Sequence, residues 1–185
     1  MPPCIGHDWY EGVFAHDIQF YLQYLIQTEK LLSTEDFNSK IKSINLSSRD
    51  AGNRPKEFKV RKRGAKYEGN CGSLRVLSKI ICVVISSYLE QSEVGPHKIK
   101  LQEVSELVTA PKFDFILAGT IEEYLDMRVE GIDQLQMNSG RPKHHYLAHY
   151  ADLYKDQGPL IHLWAMRMES NTLSSRRPSE LRRTS

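Results

Sequence analysis

Several absences narrow the field before any motif is read. The chain has no long hydrophobic run: its longest, residues 80–85, is far too short to cross a bilayer, so no membrane role is expected. Residues 1–12 carry Asp8 and Glu11 and lack the apolar stretch of a secretory leader. Cysteine is scarce and odd in number (Cys4, Cys71 and Cys82), which fits free thiols in a reducing, intracellular compartment, nuclear or cytoplasmic, rather than a secreted scaffold. The net charge is only +2, so bulk charge makes no case for nucleic acid. There is no His-Glu-x-x-His string, which removes the common zinc-peptidase signature. No internal repeat, heptad array or series of alternating strands is visible. What remains, 40% hydrophobic and 26% charged over 185 residues, suits one globular domain with a sizeable core.

The patterning that is present is helical, and the fold class expected is mostly α. Phe14, Ile18, Leu22, Leu25 and Ile26 recur at helical spacing within residues 9–32. Ser33-Thr34-Glu35-Asp36 reads as a cap for a second helix with Phe37, Ile41 and Ile44 inward. Residues 47–72 hold Gly52, Pro55, Gly64, Gly69 and Gly72 among charges, and read as a flexible loop. Helical spacing returns over 73–91 through Leu74, Leu77, Ile81, Val84 and Tyr88, although Val83 and Ile85 keep a strand open locally. Further helices are expected over 98–109, ending before Pro111, and over 113–135, with Ile116, Ile121, Tyr124, Leu125 and Met127 inward. After the loop around Gly140, two last helices should occupy 144–156 and 159–173, with residues 174–185 a disordered basic tail.

Candidate chemistry is concentrated in histidine, cysteine and one basic run. His145 and His149, four residues apart on a helix, can face one metal ion. His144 and His149 would need an irregular turn between them. Near the start, Cys4 and His7 offer a thiolate and an imidazole, and two such pairs would supply the four N/S donors of a closed zinc site. Arg54, Lys56, Lys59, Arg61, Lys62, Arg63 and Lys66 form a basic run that can neutralise phosphates, or simply be a solvated loop. Glu169, read alone, is a helical carboxylate of no special note.

Two blocks of sequence carry a resemblance. Cys4-Ile5-Gly6-His7-Asp8, with Glu11-Gly12 following, is similar to a string in animal transposon-derived proteins of the CACTA-like group. Pro142-Lys143-His144-His145-Tyr146-Leu147, His149-Tyr150, Gly158-Pro159-Leu160 and Trp164 through Glu169-Ser170 resemble the same proteins further on. The last block also resembles the end of the catalytic core in Transib-type transposases and the related V(D)J recombinase subunit, which are RNase H-like DDE enzymes.

The resemblance covers most of residues 2–170 and implies specific roles. His144 and His149 would complete a zinc site begun by Cys4 and His7, and Glu169, 20 residues after His149, would be the catalytic-type glutamate. In that family the glutamate acts with two aspartates to hold Mg²⁺ for attack on DNA phosphodiesters. Those aspartates precede the Cys/His string and are not found here, so the expectation is a truncated fragment, lacking most of the sheet and non-catalytic alone. Mg²⁺ would matter only if a complete DDE site were assembled. Residues 1–7 would enter the zinc site, 8–143 form a helical insertion, and 144–173 carry the His pair and Glu169. DNA, through Arg61, Lys62 and Arg63, or a related transposase subunit would be the partner. The competing reading is a zinc-stabilised helical interaction module with no nucleic-acid role.

Overall fold

The structure is a computed structural model that describes residues 4–62, 65–112, 116–134 and 142–163. The described residues form helices and connecting segments, with no strand among them, as the mostly α expectation required. The first element, α1, is one continuous helix: π-type turns over Gly6–Phe14, α-helix over Ala15–Gln23, and π-type turns again over Tyr24–Thr28. It is followed by α2 (Thr34–Ser43), α3 (Cys71–Leu89), α4 (Gly95–Val108), α5 (Ile116–Gln134), α6 (Pro142–Ala148) and α7 (Tyr150–Gln157).

α1 is the centre of the packing. Trp9, Tyr10, Val13, Phe14, Ile18, Tyr21 and Leu22 are all buried, so the helix is enclosed on most of its circumference rather than along one stripe. Its first turns lie against α3 and α6, while α4 packs between α3 and α5. Trp9 donates through Nε1 to Ser105 Oγ of α4 at 3.1 Å and meets the Tyr124 ring of α5 edge-on. The helix stops at Lys30, a left-handed residue (φ 55), where the Leu31 amide reaches back to the Leu25 carbonyl at 3.0 Å.

Local signals set the starts of α2 and α3. Ser33 Oγ accepts from the Asp36 amide at 3.0 Å, and Asn70 Oδ1 accepts from the Ser73 amide at 2.9 Å. Over α3, where a strand had stayed open, Leu74, Leu77, Ile81 and Val84 line the buried face of a helix, and Val83 is left exposed. α3 is long and apolar enough to cross a membrane by length and composition, but half of its apolar window is buried inside the protein, as in a core helix.

Two expectations are corrected here. Residues 144–156 are not one helix: α6 ends at Ala148 and α7 begins at Tyr150, with the His149 amide bonded to Tyr146 O at 3.1 Å in a tighter turn. On α5 the inward position expected for Ile116 belongs to Leu117, and Ile116 stands 61% exposed.

The stretch between α2 and α3 has little regular structure, as expected, yet it is tied to the core. Phe58 and Tyr67 are buried and stack, and Phe37 meets Phe58 edge-on. Asn38 clamps the Phe58 backbone from both sides, Oδ1 accepting from the amide at 2.7 Å and Nδ2 donating to the carbonyl at 3.1 Å. Gln19 and Gln23 of α1 donate to the carbonyls of Lys59 and Arg61, each at 3.0 Å. Amide side chains thus do for this segment what a sheet ladder would do for a strand.

Candidate functional site

The two segments expected to share a metal do pack together. α6 lies across the first turns of α1, and Gly12 makes the close approach possible: the aliphatic stem of Lys143 occupies the space that a Cβ there would fill. The Lys143 ammonium then donates to the His7 carbonyl at 2.5 Å. At the start of α7, Tyr150 is buried, and its hydroxyl is pushed to a high pKa by burial first and by the nearby Asp8 and Cys4 charges second.

Within this region the donors fall into two pairs. His7 Nδ1 stands 3.4 Å from Cys4 Sγ, on a turn held by the Asp8 carboxylate, which accepts from the Cys4 amide at 2.9 Å. His145 Nε2 stands 3.4 Å from His149 Nε2, with both rings exposed and perpendicular. Two imidazole nitrogens about 2.0–2.1 Å from one tetrahedral ion stand roughly 3.4 Å apart, and a sulfur–nitrogen pair only slightly further. Each pair therefore has the spacing of one edge of a zinc tetrahedron. Among the described residues, no three His, Cys, Asp or Glu side chains are gathered into one metal-holding group.

His144 takes a different place. It is buried, and its Nε2 lies 3.4 Å from Asp17 Oδ1 rather than beside His149. Asp17, on α1, also receives Arg128 Nε at 2.9 Å, Arg128 Nη2 at 3.3 Å and the Tyr124 hydroxyl. This buried carboxylate is thus satisfied by three side chains from α5 and α6. Burial alone would raise the Asp17 carboxyl, but the His144 hydrogen bond and the Arg128 charge outweigh it and hold the group at about 2.

The basic run divides by what each side chain touches. Arg54 donates to the carbonyls of Ile41, Lys42 and Ile44 at 3.0, 3.3 and 3.1 Å, closing the end of α2. Arg61 pairs with Glu68, and Lys66 donates to the Glu11 carbonyl at 3.3 Å. Lys56, Lys59 and Lys62 are exposed. Arg63, Glu169 and the tail from 174 onward lie outside the described residues.

Sequence reasoning missed the Asp17 cluster and a buried lysine, Lys98, whose Nζ is 3.4 Å from Cys82 Sγ. A signal was present: Asp17 interrupts the apolar series Phe14, Ile18, Tyr21, and Arg128 follows Ile121 and Tyr124 on the same stripe of α5. An isolated charge on each of two apolar stripes asks for the other.

The class that these features define is an all-α protein with a buried charge cluster and two exposed-to-half-buried N/S donor pairs. No particular family follows: the chain matches no family profile, no curated protein and no solved structure.

Proposed function

We propose that this chain is a transposase-related helical module, non-catalytic alone, whose fold is reinforced by a structural zinc ion and whose exposed lysines meet DNA. The observation that carries the metal reading is the donor spacing of 3.4 Å within each of the pairs Cys4–His7 and His145–His149, on segments that pack together. The soft thiolate and the imidazoles suit zinc rather than Mg²⁺. Within this reading, His145 with His149 is the better second pair, since His144 is buried with its Nε2 engaged by Asp17. The RNase H-like parentage and the DDE role of Glu169 rest on the sequence resemblance, and Mg²⁺ chemistry would require aspartates supplied from elsewhere.

Metal content of the purified full chain tests this reading. About one zinc per chain is expected, lost in Cys4→Ser/His149→Ala and in His145→Ala but kept in His144→Ala that remains folded. Zinc-free protein, or loss in His144→Ala alone, would sink the assignment.

The second reading, a helical interaction module with no nucleic-acid role, is favoured by one observation: Arg54 and Arg61 are used inside the fold. Gel-shift titration with duplex DNA separates the two. Under the DNA reading, Lys59→Glu/Lys62→Glu lowers affinity and flattens its salt dependence. Under the module reading the wild type shows no salt-dependent binding at all.

A further inference from the structure

Lys98 and Cys82 form a further side-chain pair, different in kind from the donor pairs above. Lys98 lies in the first turns of α4 with its side chain 0% exposed, and its Nζ stands 3.4 Å from Cys82 Sγ on α3. A buried ammonium ordinarily meets a carboxylate, because burial without a counter-charge is costly. Here the hydrogen-bonding partner is a thiol. Burial is the largest influence on the amine and lowers its pKa, which the Cys82 sulfur and the more distant Glu106 only partly oppose. More of it is therefore the neutral, nucleophilic amine than on an ordinary surface lysine. Cys82 is half-buried rather than enclosed, within reach of a small oxidant, whereas Cys71 is buried.

We propose that Cys82 and Lys98 are a peroxide-responsive modification site, in which the oxidised Cys82 sulfur is captured by the Lys98 amine as a covalent S–N link between α3 and α4. The inference rests on the sulfur–amine juxtaposition and is independent of the zinc and DNA readings. In the first step the Cys82 thiol is oxidised by hydrogen peroxide to the sulfenic acid, the peroxide O–O bond breaks, and one water is released. In the second, the Lys98 nitrogen lone pair attacks sulfur, the S–OH bond breaks, and the hydroxyl leaves as water with a proton from the amine. One peroxide is consumed and two waters are formed. Without the amine, the sulfenic acid takes up a second peroxide and passes irreversibly to the sulfinic acid. Two small-molecule thiols return the linked form to free Cys82 and Lys98, leaving as a disulfide.

Peptide mass analysis of the full chain after peroxide treatment reads the link directly. No Lys or Arg lies between Lys79 and Lys98, so trypsin normally releases residues 80–98. The link blocks cleavage after Lys98, so residues 80–100 should appear as one peptide, lighter by two hydrogen atoms, and disappear on treatment with dithiothreitol. Lys98→Met keeps the shape of the buried stem and should yield Cys82 sulfinic acid instead, heavier by two oxygen atoms. Cys82→Ser should show neither product. Helical circular dichroism confirms that each variant is folded when treated. Wild-type protein that reaches the sulfinic acid as fast as Lys98→Met, with no linked peptide, overturns the proposal.

Discussion

His144 and Asp17, 127 residues apart in sequence, meet in the core, with the imidazole Nε2 at 3.4 Å from the carboxylate Oδ1. This contact joins α6 to α1, and the same carboxylate joins α5 to α1 through Arg128 and Tyr124. Asp17 is therefore the point where three helices are registered by charge rather than by apolar fit. His144 is thus buried against this carboxylate, while His145 and His149 are exposed.

Removing the charge of Asp17 should be severe. Asp17→Asn removes the negative charge that faces the buried Arg128 guanidinium, only 4% exposed. Breaking a buried pair from one side costs about 3–5 kcal/mol. The double variant Asp17→Leu/Arg128→Met should cost clearly less than the two single changes together, because no orphan charge remains. Urea unfolding of wild type, Asp17→Asn, Asp17→Leu, Arg128→Met and the double variant measures this, and an Asp17→Asn midpoint equal to wild type would refute it.

The same carboxylate predicts an acid limb. Its folded pKa, about 2, lies below the ordinary carboxylate value of 3.8 in the unfolded chain. A depressed carboxyl pKa contributes stability that is fully present above the unfolded value and is lost as pH falls through the folded one. The loss should be on the order of 2 kcal/mol, spread between about pH 4 and pH 2. Urea midpoints of wild type should fall over that window, and those of Asp17→Asn should fall less. Parallel curves would show that Asp17 is not the titrating group.

How much of this was legible in the sequence follows from the range of each interaction. The Ser33 cap and the Leu74, Leu77, Ile81, Val84 stripe are local, fixed within one or two turns, and were read correctly. The break at His149 was not, since neither glycine nor proline marks it. Phe58 and Tyr67 sat unnoticed among charges and glycines, because a single aromatic without a period gives no signal of burial. The pairing of Cys4 with His7 is local and was legible. That His145 stands with His149 was legible from their four-residue spacing; the resemblance put His144 there instead, and the contact of His144 with Asp17, which is purely tertiary, was not legible.

The strap between α2 and α3 should depend on one side chain. Asn38 holds both the amide and the carbonyl of Phe58, at 2.7 and 3.1 Å. Asn38→Ala leaves both backbone groups without that partner and should cost about 1–3 kcal/mol. Amide exchange at Phe58 should accelerate far more than exchange within α3. If Phe58 exchanges at the wild-type rate in Asn38→Ala, the clamp does not hold the segment.

Two glycines should respond in opposite directions to the same substitution. Gly95 opens α4 at a point where a Cβ would press on the Leu89 carbonyl oxygen at the end of α3, closer than real Cβ atoms stand. That oxygen is backbone and cannot rotate away, so Gly95→Ala must shift one helix against the other. Overpacking of this kind typically costs about 1–3 kcal/mol. Gly119, inside α5, has nothing within 4 Å of its would-be Cβ and is exposed. There Gly→Ala only removes unfolded-state freedom from a helical position and should stabilise by about 0.5–1 kcal/mol. Thermal unfolding of both variants reads the contrast: the melting temperature should fall for Gly95→Ala and rise for Gly119→Ala. A rise for both would mean that α3 and α4 are not joined as tightly as the Leu89–Gly95 approach requires, and would also weaken the case for Lys98 and Cys82 being held in register across the same pair of helices.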